Sequence, residues 1–306
     1  MGANGTPLEL GATWVTDIHH NLLNLIRALG LSIYPQYTRG KSLFQTHNSA
    51  PPQEFFLQES QNNSYRIADG SSALITALSN TLDQENIILN TRVTSIEQEG
   101  MELIVKSKDE KIYKAETVVL CVPPQLIGSS IKFIPNLPPE TLSIFPAVQT
   151  WMAGSVKFVL EYSNAFWRDK GLSGMIYSHS GIISEIYDHT SLEENKFGFT
   201  GFLNSSAISY SQEHRRKLVV DMLSNLIGLH ARDLLYYNDK VWTDEYVLGS
   251  NKIVSRAHYN NGHPYLQRSY MDGRLFLSCT ETSDIHPGYM EGAIHSASSV
   301  YKKLLS

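Results

Sequence analysis

A lysine inside an apolar, strand-like run is the first place where the sequence offers chemistry. Lys157 lies in SVKFVLEY, where apolar residues on one face alternate with Lys157, Val159 and Glu161 on the other. Such alternation is typical of a half-exposed strand. The spacing by itself therefore favours a solvated lysine, and a functional lysine is the alternative.

A strand, a short loop and a helix follow one another near the C-terminus, in GRLFLSCTETSDIHPGYMEGAIHSASSVYKKLL (273–305). Gly288 and Gly292 allow the backbone to approach a neighbour closely. The start of the helix offers free N–H groups and the positive end of the helix dipole, which suit an anion or a polarised ring edge. The alternative is that both glycines only let the helix pack on the sheet.

Other chemistries find no support in the sequence. The chain has no G-x-G-x-x-G turn, no Walker loop and no histidine pair at metal-binding spacing, so no metal site is expected. A net charge of −5 argues against a nucleic-acid or anionic-membrane partner. No run is long enough to span a membrane, and the N-terminus does not resemble a signal peptide. Cys121 and Cys279 are expected to be reduced core residues of a cytoplasmic protein.

The order of elements indicates the fold class. Helices are predicted after Asp17, from Ser71, over 214–229 and from about Pro287, with strands between them and a hairpin over 101–119. The run 117–124 lacks alternation, which is typical of a strand buried on both faces. Mixed strands and helices with long separations predict an α/β or α+β protein with interleaved domains.

Six segments, in this order, resemble the flavin-containing amine oxidases, a family that includes monoamine and polyamine oxidases. They are LELGATWV, YRIADGSSALITAL, TRVTSIEQEG, TVVLCVPP, SVKFVLEYSNAFWRDKGLSG and GRLFLSCTETSDIHPGYMEGAIHSA. The resemblance implies a doubly wound FAD-binding domain made of discontinuous segments, interleaved with a sheet-plus-helix substrate domain. It also implies hydride transfer from an amine to FAD, reoxidation by oxygen and a dry aromatic pocket.

The resemblance assigns domains and roles. The FAD-binding-type domain is expected over 1–34, 65–135 and 240–306, and the substrate-binding domain over 35–64 and 136–239. Lys157 matches a catalytic lysine that holds a water near the flavin, and Tyr289 matches one wall of an aromatic cage around the substrate. The residues that match cofactor contacts are Gly11, Ala12, Thr13, Trp14, Val93, Thr280 and Met290.

Three positions depart from the family pattern. Asn251 stands where monoamine oxidases carry the cysteine that tethers the flavin, so FAD is expected to bind non-covalently. Lys252 stands at the second wall of the aromatic cage, for which Tyr259 is an alternative. Cys279 replaces a glycine at the end of a strand, where its side chain could crowd the cofactor.

The N-terminal G-x-G-x-x-G unit of the family is the largest departure, since the first matching segment is LELGATWV. That unit supplies the pyrophosphate cradle and a central strand, and without it sheet edges are expected to be exposed. One interpretation is an amine oxidase whose N-terminal FAD-binding piece is separate. Another is a non-catalytic remnant, and a third is a flavin oxidase with a carotenoid- or porphyrinogen-type substrate. The partners implied by the first are a small-molecule amine and oxygen.

Overall fold

The computed structural model describes residues 1–58, 63–243 and 256–305. The chain divides into two compact units. The first unit comprises Met1–Ser79 and Ser155–Trp242, and the second comprises Asn80–Gly154 and Thr243–Ser306. The assignment of particular ranges to a cofactor or a substrate domain stays a prediction.

Strands and helices are interspersed along the chain, which confirms the predicted mixed α/β class. The strands are β1 (Trp14–Thr16), β2 (Ile33–Pro35), β3 (Lys41–Gln45), β4 (Gln53–Phe55), β5 (Ser64–Ile67), β6 (Val93–Glu99), β7 (Glu102–Ser107), β8 (Ile112–Ala115), β9 (Val118–Leu120), β10 (Lys132–Ile134), β11 (Val156–Tyr162), β12 (Leu172–Ser178), β13 (Ile183–Asp188), β14 (Phe197–Leu203), β15 (Tyr236–Val241), β16 (Ser269–Tyr270) and β17 (Leu275–Leu277). The α-helices are α1 (His20–Ala28), α2 (Ser71–Ser79), α3 (Pro124–Ser130), α4 (Pro139–Ile144), α5 (Phe166–Asp169), α6 (Gln212–Ile227) and α7 (Met290–Leu304).

A seven-stranded sheet forms the frame of the first unit, with the order β15-β11-β14-β13-β12-β3-β4. Its neighbours pair antiparallel except β12 and β3, which are parallel. Helix α6 packs against it through Val219, Leu223 and Ile227, which belong to one buried apolar cluster with the sheet residues. A smaller antiparallel sheet of the same unit has the order β1-β5-β2.

Strand β11 is buried at every position. The alternation that favoured a half-exposed strand with a solvated lysine is therefore misleading here. Lys157 is 2% exposed and Glu161 is fully buried. The backbone N–H of Asn4 and the hydroxyl of Thr6 donate hydrogen bonds to the Glu161 carboxylate, so the segment before β1 covers this part of the strand.

The second unit is built on two smaller sheets. One has the order β10-β6-β7-β8 and contains the predicted hairpin, β7 to β8. The other has the order β16-β17-β9, in which β17 and β9 are parallel. The expectation that 117–124 is buried on both faces is wrong, because Val119 and Val122 are 37% and 40% exposed and Cys121 is exposed. Cys279 is buried, and both thiols are free.

The buried faces of two helices differ from those that the spacing of apolar residues predicts. In α2, Leu74 is buried while Ile75 is 65% exposed. In α7 the buried residues are Glu291, Gly292, Ser296 and Val300, whereas Tyr301, on the predicted apolar stripe, is 62% exposed. The reason is that α7 packs through small and polar residues. Ser296 shares a hydrogen bond of 2.6 Å with Thr282, which lies just after β17.

Candidate functional site

The ammonium group of Lys157 lies in a frame of backbone and side-chain oxygens in the first unit. Its Nζ donates to the Gly11 carbonyl at 2.7 Å and to the Thr13 hydroxyl. The segment that supplies both acceptors is fixed elsewhere, because the Trp242 indole donates to the Leu10 carbonyl at 2.7 Å. Lys157 thus has a defined position without an ion pair to a carboxylate among the described residues.

Burial lowers the pKa of Lys157 to about 7. The carboxylate of Glu9 opposes this change, and the guanidinium of Arg66 adds to it. A lysine with a pKa near 7 exchanges a proton readily at neutral pH, which an exposed lysine cannot do. This property makes Lys157 a functional candidate on physical grounds.

A cluster of buried charged and polar residues, Arg66, His189 and Glu9, lies near Lys157. The Arg66 guanidinium donates to the Thr190 carbonyl at 2.8 Å and lies 3.1 Å from the His189 ring and 3.6 Å from a Glu9 oxygen. Glu9 also accepts from the backbone N–H of Ser71, the first residue of α2, at 2.6 Å. Burial lowers the pKa of His189 well below its usual range and raises the pKa of Glu9. Sequence reasoning missed this cluster, because its members lie far apart in the chain.

Two aromatic rings flank the Lys157 ammonium group. Its Nζ lies 5.1 Å from the Trp14 ring centre and 5.5 Å from the Phe202 ring centre. The edge of Trp14 meets Tyr187 at 5.0 Å between ring centres. The Trp14 indole N–H donates to the Gln36 side chain at 2.8 Å, which fixes its orientation. The structure therefore brings together four predicted residues, Gly11, Thr13, Trp14 and Lys157, and Ala12 lies between them in the chain.

The junction between β17 and α7 is a second candidate site, in the second unit. A 3-10 helix over Thr280–Thr282 links them, and the Thr280 hydroxyl donates to the Tyr289 carbonyl at 2.8 Å. Glu281 is 1% exposed, and its Oε1 accepts from the Thr150 hydroxyl at 2.7 Å. Its Oε2 is buried without a hydrogen-bond partner among the residues that the structure describes. Leaving a carboxylate oxygen unpaired is costly, so a ligand hydroxyl would fit there.

The rest of the junction also fits a large polar ligand. Tyr289, the N-cap of α7, makes no side-chain capping hydrogen bond, and Met290 begins the helix. Because the acidic Glu291 lies in the first turn, this end suits a neutral polar edge better than a further anion. Gly292 is required here, since a Cβ would lie 2.3 Å from the His286 carbonyl oxygen.

Cys279, the residue expected to crowd a cofactor, instead forms hydrogen bonds with the 3-10 helix that follows it. Its side chain accepts from the Thr282 backbone, and the Thr282 hydroxyl accepts from the Cys279 backbone N–H at 3.2 Å, so the thiol caps the 3-10 helix. Burial raises the pKa of the thiol well above its usual range, and the Glu281 carboxylate adds to the effect. Cys279 is therefore an inert thiol rather than a nucleophile.

Tyr289 belongs to a group of stacked rings. It lies 4.3 Å from Trp151 and 6.0 Å from His258, nearly parallel to the latter at 14°. Gly288 makes this stack fit, because a Cβ there would lie 2.7 Å from the Trp151 Cβ. Sequence reasoning missed Trp151 and His258. The proposed substitute, Tyr259, is 46% exposed, with a guanidinium over its ring instead.

Three further predictions concern residues outside these contacts. Val93 begins β6 in the second unit and is half-buried. Asn251 and Lys252 lie outside the described residues. Within the described ranges, no group of three or more His, Cys, Asp or Glu side chains could hold a metal ion. In the same ranges, no helix is long and apolar enough to cross a membrane.

Solved structures of amine oxidases share this fold. Wild-type putrescine oxidase bound to putrescine superposes with a TM-score of 0.80 at 16% identity, covering 97% of this chain and 88% of that one. Cyclohexylamine oxidase from Brevibacterium oxydans also gives 0.80 at 16% identity, covering 98% and 88%. The fold is thus that of the FAD-dependent amine oxidases.

Sequence comparison then identifies the family. The model of the family "Flavin containing amine oxidoreductase" matches residues 42–300, so the chain belongs to this family. A probable flavin-containing monoamine oxidase A from Dictyostelium discoideum is 28% identical over 250 residues, covering 78% of this chain and 53% of the relative. A flavin-containing amine oxidase from Danio rerio is 26% identical, covering 78% and 47%. The chain spans about half the length of the curated relatives that it matches.

Proposed function

We propose that the chain carries the amine-oxidising part of an FAD-dependent amine oxidase, which converts a small-molecule amine to an imine with oxygen as the final electron acceptor. The observation that carries the proposal is Lys157, buried beside two aromatic rings with a pKa of about 7. Membership of the flavin-containing family supports it. Non-covalent FAD and a cytoplasmic location belong to the same proposal.

The residues at the junction between β17 and α7 would hold FAD. In the second unit, Glu281 offers a buried acceptor for a ligand hydroxyl, and Thr280 and Met290 lie at the uncapped start of α7. Val93 and the 11–14 segment are the further contacts that we assign. FAD, when bound, accepts a hydride equivalent from the carbon next to an amine nitrogen.

The protein's own residues would then prepare the substrate and the water. Two N–H groups of Lys157 are used on Gly11 and Thr13, so the remaining position on Nζ is left to hold a water. In the first unit, Trp14 and Phe202 would exclude bulk water from the Lys157 ammonium group. Tyr289, in the second unit, is the residue that we assign to substrate contact. Desolvation lowers the pKa of an amine, and the neutral amine is the form that can lose hydride.

An alternative is that FAD binding needs a separate N-terminal dinucleotide-binding piece, or that the chain is a non-catalytic remnant. The two proposals differ in what the isolated chain does with flavin.

The visible spectrum of the purified chain, before and after acid precipitation, separates them. A yellow protein that releases its flavin on precipitation, and then forms peroxide from amines, would support the oxidase. Replacing Lys157 with Met should slow peroxide formation, whereas replacing the exposed Lys114 with Met should not. A colourless protein that takes up no added FAD would instead support the need for a separate piece.

A further inference from the structure

The Asn4–Gly5 dipeptide lies in an exposed turn at the start of the first unit. The Gly5 N–H donates to the Gly2 carbonyl at 3.1 Å, and Gly5 has φ +72°, a conformation that favours glycine. Asn4 is exposed, and its side-chain amide has no hydrogen-bond partner among the described residues. This side chain is therefore free to bring its amide carbon to the Gly5 nitrogen, which the absence of a Cβ leaves uncrowded.

The backbone of Asn4 also helps to hold a buried carboxylate. Glu161 is fully buried on β11, and it accepts from the Asn4 N–H at 3.2 Å and from the Thr6 hydroxyl. In the parts of the chain that the structure describes, no cationic group forms an ion pair with Glu161. Gly2 packs directly on this carboxylate, since a Cβ there would lie 2.6 Å from its Oε2. A new negative charge at position 4 would therefore lie beside a carboxylate that is already costly to bury.

We propose that Asn4 is a site of spontaneous deamidation and that the reaction releases residues 2–6 from β11. The Gly5 nitrogen loses its proton and attacks the side-chain carbonyl carbon of Asn4. A new C–N bond closes a cyclic imide, the bond to the side-chain nitrogen breaks, and that nitrogen leaves with the proton as ammonia. Water then opens the imide at either of its two carbonyls. One product is aspartate, and the other is isoaspartate, whose backbone runs through the former side chain. The sequence needs only water and involves no change of oxidation state.

Both products weaken the contact with Glu161. Each carries a carboxylate close to the buried one, and like charges at such a distance repel each other. The Lys196 ammonium, which donates to the Gly5 carbonyl at 2.9 Å, offsets part of this repulsion. Isoaspartate also lengthens the backbone by one carbon, which moves Thr6 away from Gly2, whose N–H donates to the Thr6 carbonyl at 2.9 Å.

The release stays local, because the chain is held again a few residues further on. The Thr200 hydroxyl donates to the carbonyl of residue 9 at 3.3 Å, and the Trp242 indole donates to that of residue 10 at 2.7 Å. We therefore expect residues 2–6 to leave β11 while the hydrogen bonds of Lys157 stay in place.

A second Asn–Gly pair provides an internal comparison. The side-chain amide of Asn261 donates to two backbone carbonyls, at 3.0 and 3.2 Å, and the Gly262 N–H donates to the Glu281 carbonyl at 2.8 Å. Three hydrogen bonds must open before the same ring can form there, whereas one must open at Asn4. The two additional hydrogen bonds should make deamidation of Asn261 about 30-fold slower.

Peptide mass spectrometry on the full chain tests the site. The chain is incubated at mildly alkaline pH in water enriched in heavy oxygen and is then digested. We expect the peptide with Asn4 to exchange its side-chain nitrogen for solvent oxygen and to separate into aspartate and isoaspartate forms, about 30-fold faster than the peptide with Asn261. Asn4→Gln is the matched control, because it keeps the amide but would need a larger ring, and it should stay unmodified. Equal rates at the two sites, or an Asn4 that stays unmodified, would overturn the assignment.

Hydrogen exchange followed by mass spectrometry tests the release. Asn4→Asp carries the new charge from the start, so its peptide over residues 2–8 should exchange about 3- to 10-fold faster than in the parent. Exchange in α6 should be unchanged and serves as the check on folding. Glu161→Gln removes the buried charge but keeps an acceptor oxygen, so Asn4→Asp should have no effect in that background. Full protection of residues 2–8 in Asn4→Asp, or an equal loss of protection in both backgrounds, would contradict release by charge repulsion.

Discussion

Replacing Lys157 with methionine should make the stability of the first unit less dependent on pH. The pKa of Lys157 falls from the usual 10.5 to about 7 on folding, so the unfolded chain binds this proton more tightly than the folded chain. At about 1.4 kcal/mol per pH unit, the difference corresponds to about 5 kcal/mol. The penalty is complete below pH 7 and disappears as the pH rises towards 10.5.

The measurable part of this effect lies between pH 7 and pH 9. Over that range deprotonation of Lys157 should stabilise the folded chain by about 2 kcal/mol. Lys157→Met keeps a side chain of similar length but has no proton to lose. The difference in unfolding free energy between variant and parent should therefore be largest at pH 7 and shrink by about 2 kcal/mol at pH 9.

Urea unfolding followed by tryptophan fluorescence measures that difference, because Trp14 and Trp167 lie in the same unit as Lys157. All other titrating groups are common to the two proteins and cancel. Lys114→Met, which removes an exposed lysine, is the matched control and should give a constant difference. If Lys157→Met also gave a constant difference across this range, the lysine would not be titrating near neutral pH, and its proposed role would lose its physical basis.

Two other predictions concern the neighbours of these sites. Glu9→Gln should lower the pH midpoint of the Lys157 transition by about one unit, and Arg66→Gln should raise it. The reason is that the two charges act on the pKa of the lysine in opposite directions. Shifts of the same sign in both variants would point to general structural damage. Gly288→Ala should destabilise the second unit by about 1–3 kcal/mol, since the residue has φ +83° and its Cβ would lie 2.7 Å from Trp151. A thermal unfolding temperature equal to that of the parent would contradict this.

Local patterns in the sequence predicted elements well where one face is apolar and the other polar. The hairpin of β7 and β8 and helix α6 lie where periodicity placed them. The alternation in β11 predicted a strand correctly but a half-exposed one wrongly, since every position is buried. The face of a buried helix is harder to predict. In α7 the buried side is formed by Gly292 and Ser296, whose small size permits close packing, and hydrophobicity alone does not reveal that preference.

The chemistry depends on contacts between distant segments, which periodicity cannot predict. Spacing favoured a solvated Lys157, and only the family resemblance singled it out. Glu281 was missed because its buried, unpaired oxygen is evident only in three dimensions. The roles of Val93, Thr280, Tyr289 and Met290 stay predictions, since they concern a cofactor and a substrate.

The bonds around Lys157 also have a consequence for how the chain folds. Lys157 and its acceptors, Gly11 and Thr13, are separated by 146 and 144 positions. The second unit's residues 80–154 lie between them in the chain. During synthesis, Gly11 and Thr13 therefore leave the ribosome first. Residues 80–154 of the second unit follow, and only afterwards does the strand that carries Lys157 emerge. Contacts of such long range form late, so the lysine frame should be among the last parts of the first unit to gain protection from hydrogen exchange during refolding.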